Sequence, residues 1–333
     1  MTTTHSPSGT GDGRVGPPPP MDAELAAALA TFTAVMPQLT AELIPLVRRP
    51  DPAAPTDVDL ARGGTFAVEE RAVPGPEGAP EVRLLICRPT AATAPVPALY
   101  YVHGGGMILG DNRLGVSEAL DWAQDLGLAV VSVEYRLAPE TRHPGPVEDC
   151  HAGLVWTLAH AAELGIDPDR VVVAGLSAGG GLAAALALMA RDRGTAALAG
   201  QMLLSPMLDD RNDTPSAFQM EGHGVWDRIS NATGWSALLG EDRGTAAVSP
   251  YAAPARAADL SGLPPTFIDV GSAETFRDED VTYASRLWAA GGRAELHVWP
   301  GGFHGFDTIA PQAQISQEAR AARLRWLRRL LAP

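Results

Sequence analysis

The chain carries 39 acidic against 25 basic side chains in 333 residues, 46% of them hydrophobic, for a formal net charge of −14; this disfavours nucleic acid and anionic membranes as partners, while the length suits one large buried core. Every basic position is an arginine, which excludes a phosphate-binding loop that needs a lysine. Cys87 and Cys150 match no metal-ligand spacing, so reduced thiols in a cytoplasmic protein are expected, with neither a metal nor an organic cofactor.

Residues 1–20 are rich in Thr, Ser, Gly and Pro and close on Pro17-Pro-Pro-Pro20. They predict a disordered tail, without the basic start and apolar centre of a signal peptide, and no later apolar run is long enough to span a bilayer. From 21 to 47, Leu25, Leu29, Phe32, Met36 and Leu39 recur at helical spacing, and Pro37 should kink or break the run. We read residues 21–50 as N-terminal cap helices over a site, with plain packing on the main domain as the alternative. Residues 60–333 then alternate strand and helix, the pattern of an α/β fold with a mostly parallel sheet. Strands are expected at 65–73, 81–88, 98–102, 128–134, 170–174, 200–205, 265–270 and 294–299, eight in all. Helices fit at 112–126, 146–164, 178–192, 279–291 and 314–331. The long interval 207–260 holds Phe218, Trp226, Trp235, Leu238 and Leu239 among glycines and charges, and it reads as a second cap segment whose aromatics line a pocket or simply pack.

Four of the strand ends carry chemistry. Leu99-Tyr-Tyr-Val-His-Gly-Gly-Gly106 runs a strand into successive glycines whose N–H groups nothing screens, so Gly104 and Gly105 can meet an oxyanion. Val171-Val-Val-Ala-Gly-Leu-Ser-Ala-Gly179 sets Ser177 in a Gly-x-Ser-x-Gly turn between a strand and an alanine-rich helix. Gly175 and Gly179 permit the sharp turn, and the N–H of Ala178 joins the oxyanion donors. A dinucleotide-binding reading fails, because the next strand leads into Pro206 and Met207 rather than an acid. The base must come from eight histidines. His304 lies in the glycine-rich loop Trp299-Pro-Gly-Gly-Phe-His-Gly305 after the last strand, where a side chain can reach the site. His297 reads as a sheet-face residue, His151 and His160 as the partly solvated side of a helix, His143 and His223 as exposed loop residues, His5 as part of the tail and His103 as a brace for the glycine loop. Four acids compete for the third role. Glu274 is nearest the strand end, whereas Asp278, Glu279 and Asp280 suit the first turn of the next helix, and Asp269 lies within the strand.

The order Ser177, Glu274, His304 is that of α/β-hydrolases. Together with Val102-His-Gly-Gly-Gly106, Glu134-Tyr-Arg-Leu-Ala-Pro-Glu140, Pro146-Val-Glu-Asp-Cys150 and Pro300-Gly-Gly-Phe-His-Gly-Phe306, the chain from about residue 80 to 331 resembles the hormone-sensitive-lipase family of bacterial carboxylesterases. The resemblance implies an α/β-hydrolase fold with a small helical cap and a Ser177, His304, Glu274 triad. Two positions depart from the family pattern: Leu176 stands before the serine, where it would touch the acyl pocket or the elbow, and Glu274 stands where aspartate is usual. The implied activity is hydrolysis of short- to medium-chain esters through an acyl-enzyme, with Leu176 and Trp226 as candidate substrate contacts and a small ester as the partner. A homodimer is compatible with this reading. An acyltransferase or amidase would use the same residues, and the fold also serves silent small-molecule receptors, which usually lack a triad member.

Overall fold

The computed structural model describes residues 15–33, 38–48, 54–195 and 197–332. The expectations for residues 1–14, the Phe32 side chain, Met36 and Pro37 fall outside them. Eight strands form one sheet: β1 (Phe66–Val73), β2 (Val82–Pro89), β3 (Val96–Val102), β4 (Ala129–Glu134), β5 (Ile166–Leu176), β6 (Gly200–Leu204), β7 (Thr266–Gly271) and β8 (Ala294–Trp299). Their spatial order is β1-β2-β4-β3-β5-β6-β7-β8. Only β2 pairs antiparallel with its neighbours, β1 and β4; every other pairing is parallel. The helices are α1 (Ala23–Thr33), α2 (Ile44–Val47), α3 (Asp57–Ala61), α4 (Val116–Leu126), α5 (Gly145–Ala159), α6 (Ala161–Leu164), α7 (Ala178–Arg193), α8 (Pro215–Gln219), α9 (Arg228–Leu239), α10 (Arg277–Ala289), α11 (Phe306–Ile309) and α12 (Gln314–Leu330).

The central strands are continuous apolar runs because both faces are covered. The pleat sorts them: Tyr100, Val131, Val173, Leu203 and Ile268 face a core shared with α5, α7 and α10. Leu99, Tyr101, Val130, Val172, Met202 and Phe267 face a second core under α4 and α12. A third cluster joins Leu25 and Leu29 of α1 to Phe303 and Phe306, the residues flanking His304.

Differences from the expected elements have local causes. Helix α4 starts at Val116 rather than 112, because Gly115 before it sits at φ 81. The expected 146–164 helix divides at His160, whose backbone leaves the helical region. Strand β5 extends back to Ile166, which pairs with Val96 across an irregularity in the ladder. His151 is buried against Arg193 and Thr195 rather than partly solvated, and His143 is half-buried rather than exposed. Residues 15–20 take no helix or strand, yet the Pro17 carbonyl accepts a hydrogen bond from Gln219.

The topology leaves every parallel strand pointing at one edge, where the loops after β3, β5, β7 and β8 gather. Helix α7 starts so close to that edge that a Cβ on Gly179 would fall 2.0 Å from the Val102 carbonyl, and one on Gly175 2.3 Å from the Gly179 backbone. Gly179→Ala should therefore push α7 off the sheet and lower stability by about 1–3 kcal/mol, read as a lower urea midpoint at unchanged slope. An unaltered midpoint would show that α7 is free to shift.

Candidate active site

Ser177 caps the N-terminus of α7 with φ 59 and ψ −121, a backbone conformation costing on the order of 1–3 kcal/mol. Two hydrogen bonds hold it there: Ser177 donates its N–H to the Leu204 carbonyl at 2.8 Å, and its own carbonyl accepts the Met207 N–H at 2.9 Å. The turn raises the side chain above the sheet edge, at the positive end of the α7 dipole.

The structure brings Ser177, His304 and Glu274 into one line. His304 Nε2 is 3.0 Å from Ser177 Oγ, and Nδ1 is 2.9 Å from Glu274 Oε2. The Glu274 carboxylate is fully buried and its other oxygen accepts the Phe276 N–H at 3.3 Å. Phe276 also meets the imidazole edge-on, with ring centroids 5.3 Å apart. With Nδ1 donating to the carboxylate, Nε2 is left as an acceptor facing the hydroxyl.

Gly104 approaches from the other side: a Cβ there would lie 3.6 Å from Ser177 Cβ. Gly105 follows at φ 105, a conformation that suits glycine. Ala178 is the first residue of α7, buried against the serine. Buried His103 sits under the glycine loop, donating Nδ1–H to the Gly104 carbonyl at 2.8 Å and stacking on Tyr135 at 4.1 Å. The Tyr135 hydroxyl donates back to the His103 carbonyl at 3.0 Å. Burial pushes the His103 pKa down to about 4, which keeps the ring neutral in its bracing role. Tyr135 went unassigned in the sequence, although it lies inside the Glu134–Glu140 motif.

The two candidate pocket residues separate. Leu176 ends β5 and packs toward the α4 and α12 core, whereas the Trp226 ring fills the space over Gly106, where a Cβ would be 2.2 Å from its Cη2. Trp226 donates Nε1–H to Asn231 and accepts the Thr275 hydroxyl on its carbonyl at 2.7 Å, so it bridges the glycine loop and the acid loop. A cavity of about 540 Å³ lies away from Ser177, lined by His297, Trp299, Gln314 and Arg325 among others.

The acids competing with Glu274 stand in the first turn of α10 as expected, but they are not alike. Asp278 accepts the Ser216 N–H at 2.8 Å and pairs with Arg277. Glu279 is buried and accepts the N–H groups of Leu208 and Asp209 on one oxygen. Asp280 is buried with neither oxygen hydrogen-bonded; burial first, then the charges of Glu279 and Glu274, raise its pKa well above the usual carboxylate range. Asp269, on β7, takes part in a buried ion pair with Arg323. Among the described residues, no group of three or more His, Cys, Asp or Glu could hold a metal ion, and no helix is long and apolar enough to cross a membrane.

The chain has counterparts among known proteins. The profile of a family described by its alpha/beta hydrolase fold matches residues 99–308. Carboxylesterase NlhH of Mycobacterium tuberculosis is 36% identical over 266 residues, covering 79% of this chain and 83% of the relative. The solved structure of a bacterial heroin esterase is 41% identical with a TM-score of 0.84, covering 94% of this chain and 98% of its own. Esterase LipW from Mycobacterium marinum is 35% identical with a TM-score of 0.84, covering 95% and 99%.

Asp280 generates a pH-dependent prediction. The fold holds a proton that the unfolded chain releases above about pH 3.9, so this carboxyl costs progressively more stability as pH rises toward its folded pKa. Asp280→Asn should melt higher than the parent, with a gap that widens from about pH 5 to about pH 8. A gap that stays constant, or a parent that melts higher at the upper pH, would contradict the unpaired burial.

Proposed function

The chain belongs to the hormone-sensitive-lipase-like carboxylesterases of the α/β-hydrolase fold, and from that footing we propose that it hydrolyses short- to medium-chain carboxylic esters through an acyl-enzyme on Ser177. The observation that carries the proposal is the continuous Ser177–His304–Glu274 relay on a strained serine.

His304 takes the hydroxyl proton on Nε2 as Oγ attacks the ester carbonyl, and the buried Glu274 carboxylate stabilises the imidazolium and fixes its tautomer. The N–H groups of Gly104, Gly105 and Ala178 are assigned to the oxyanion, where preorganised donors act on the charge that develops in the transition state. Collapse of the tetrahedral species passes the proton to the leaving alcohol. Water then attacks the acyl carbonyl by the same route and frees the acid. The residues assigned here supply every proton transfer in this cycle.

We assign the cap to residues 21–50 and 207–260, over a hydrolase domain of 60–333. Its support is their mutual contact: Leu39 donates its N–H to Ser230 Oγ at 3.1 Å and accepts from Thr233 at 2.9 Å, while Arg48 donates to the Ile108 carbonyl at 2.6 Å beside the glycine loop. The lobe is tied to the acid loop through Ser216, whose hydroxyl donates to the Thr275 carbonyl at 2.9 Å. Trp226 is assigned a pocket wall, which suits dissolved esters rather than emulsified fat. We also propose a cytoplasmic location, in keeping with two free, buried cysteines, and a small ester as partner, with nucleic acid disfavoured by the charge of −14.

Two experiments test the reading. In the first, Ser177→Ala and Glu274→Gln should each remain folded and lose turnover of p-nitrophenyl butyrate, the second by on the order of 10⁴, while Asp278→Asn turns over normally. Full activity in Ser177→Ala, or loss in Asp278→Asn with Glu274→Gln intact, would move the assignment. In the second, a series of p-nitrophenyl esters should show short to medium chains preferred and Trp226→Ala shifting the preference to longer ones; an unchanged profile would return Trp226 to plain packing. An added alcohol acceptor in the same assay separates hydrolysis from acyl transfer.

A further inference from the structure

Arg323 lies in the middle of α12 and is only 2% exposed. Its guanidinium meets three carboxylates from three different segments. Nε donates to Asp269 Oδ2 at 2.8 Å, and Nη1 donates to Glu118 Oε1 at 2.7 Å and to Asp307 Oδ2. Asp269 is on β7, five residues before Glu274. Asp307 is in α11, three residues after His304. Glu118 is in the first turn of α4, the helix that follows the glycine loop.

The surroundings tighten the same connections. Trp299, at the end of β8, donates Nε1–H to Asp269 Oδ2 at 3.1 Å, and Arg320 donates to the Asp307 carbonyl at 2.8 Å. The acid and histidine loops also touch directly: Ala273 donates its N–H to the Gly302 carbonyl at 2.9 Å, and Ser272 donates to the Trp299 carbonyl at 2.8 Å. The backbone contacts align the two loops, while the guanidinium anchors their flanks. Without it, buried Asp269 would be left with the Trp299 N–H and Asp307 with Arg320, whose Nε stands 3.9 Å away, at a cost that displaces the segments bearing them.

We propose that Arg323 is a positioning residue that holds Glu274 and His304 in register by fixing β7, α11 and α4 to a single buried cation. The inference rests on the triad reading above. A guanidinium holds five donors in a rigid planar fork spread over three nitrogens, whereas an ammonium is a compact charge with three donors on one nitrogen at the end of a flexible stem, so lysine at this position should restore the charge and only part of the alignment. A cation that merely stabilised the fold would alter melting temperature and leave the chemistry of folded molecules untouched.

The test compares Arg323→Met, Arg323→Lys and Asp307→Asn with the parent, using only protein shown to be folded by circular dichroism. Two quantities are read: kcat and KM for p-nitrophenyl butyrate, and the low-field proton NMR resonance of the Glu274–His304 hydrogen bond. Arg323→Met should lose kcat by on the order of 100-fold, the effect of a misplacement near 1 Å, with KM little changed and the resonance lost. Arg323→Lys should fall between it and the parent, and Asp307→Asn should lose kcat to a smaller degree. If Arg323→Met does not fold, the other two variants decide. Folded variants with parental kcat and an intact resonance would overturn the proposal. The Ser177→Ala control keeps the two readings apart: normal turnover there strikes the triad, while the resonance still reports whether Arg323 holds Glu274 against His304.

Discussion

The backbone of Ser177 is the constraint on which the other parts of this site depend. A non-glycine residue at φ 59 and ψ −121 is unfavourable by itself, and it persists because strand and helix are locked on either side of it. Its N–H and carbonyl are both bonded to the β6 segment, and α7 is pressed so near β3 that only glycine fits at 179. The large two-sided core offsets this local cost. In return the hydroxyl stands at a helix N-terminus, next to Gly104 and within 3.0 Å of His304 Nε2.

Burial of charge is the second organising theme. A chain with an excess of acids places most of them in solvent, yet several are enclosed beside the site. Asp269 and Asp307 are compensated by Arg323; Glu118 shares that cation, and burial followed by the Asp307 charge lifts its pKa to about 7. Glu274 has His304, Glu279 has two backbone N–H groups, and Asp280 has nothing. The same low-dielectric surroundings thus strengthen each pairing, yet burial still pushes the pKa of Glu279 up along with that of unpaired Asp280.

Much of this was legible in the sequence because parallel strands and glycine turns leave strong local signals. The eight strands fall near their expected places, and the serine, histidine and glutamate singled out by strand-end position lie together. What escaped was the direction of side chains on helices. His151 reads as polar and therefore outward, but α5 is packed on a side that turns it toward Arg193. Acids in the first turn of α10 satisfy a dipole argument equally, and nothing local says that Asp278 and Glu279 accept N–H groups from the 207–260 segment. Arg323 hides in an arginine-rich helix, although Ala319, Ala322, Arg323, Trp326 and Leu327 form one buried face at helical spacing. Its place on that face was the available signal.

The position of that arginine, later in the chain than every other part of the site, has a consequence for biosynthesis. Translation delivers the serine, the glycine loop, the acid and the histidine before any of α12 has appeared, so a growing chain can assemble most of the sheet while Asp269 and Asp307 still lack their counter-charge. The cation arrives after them, with the same helix that seals the second core through Trp326 and Leu327. The acid and histidine segments can therefore take up their final charge balance only against a helix made after them, which sets an order on their folding.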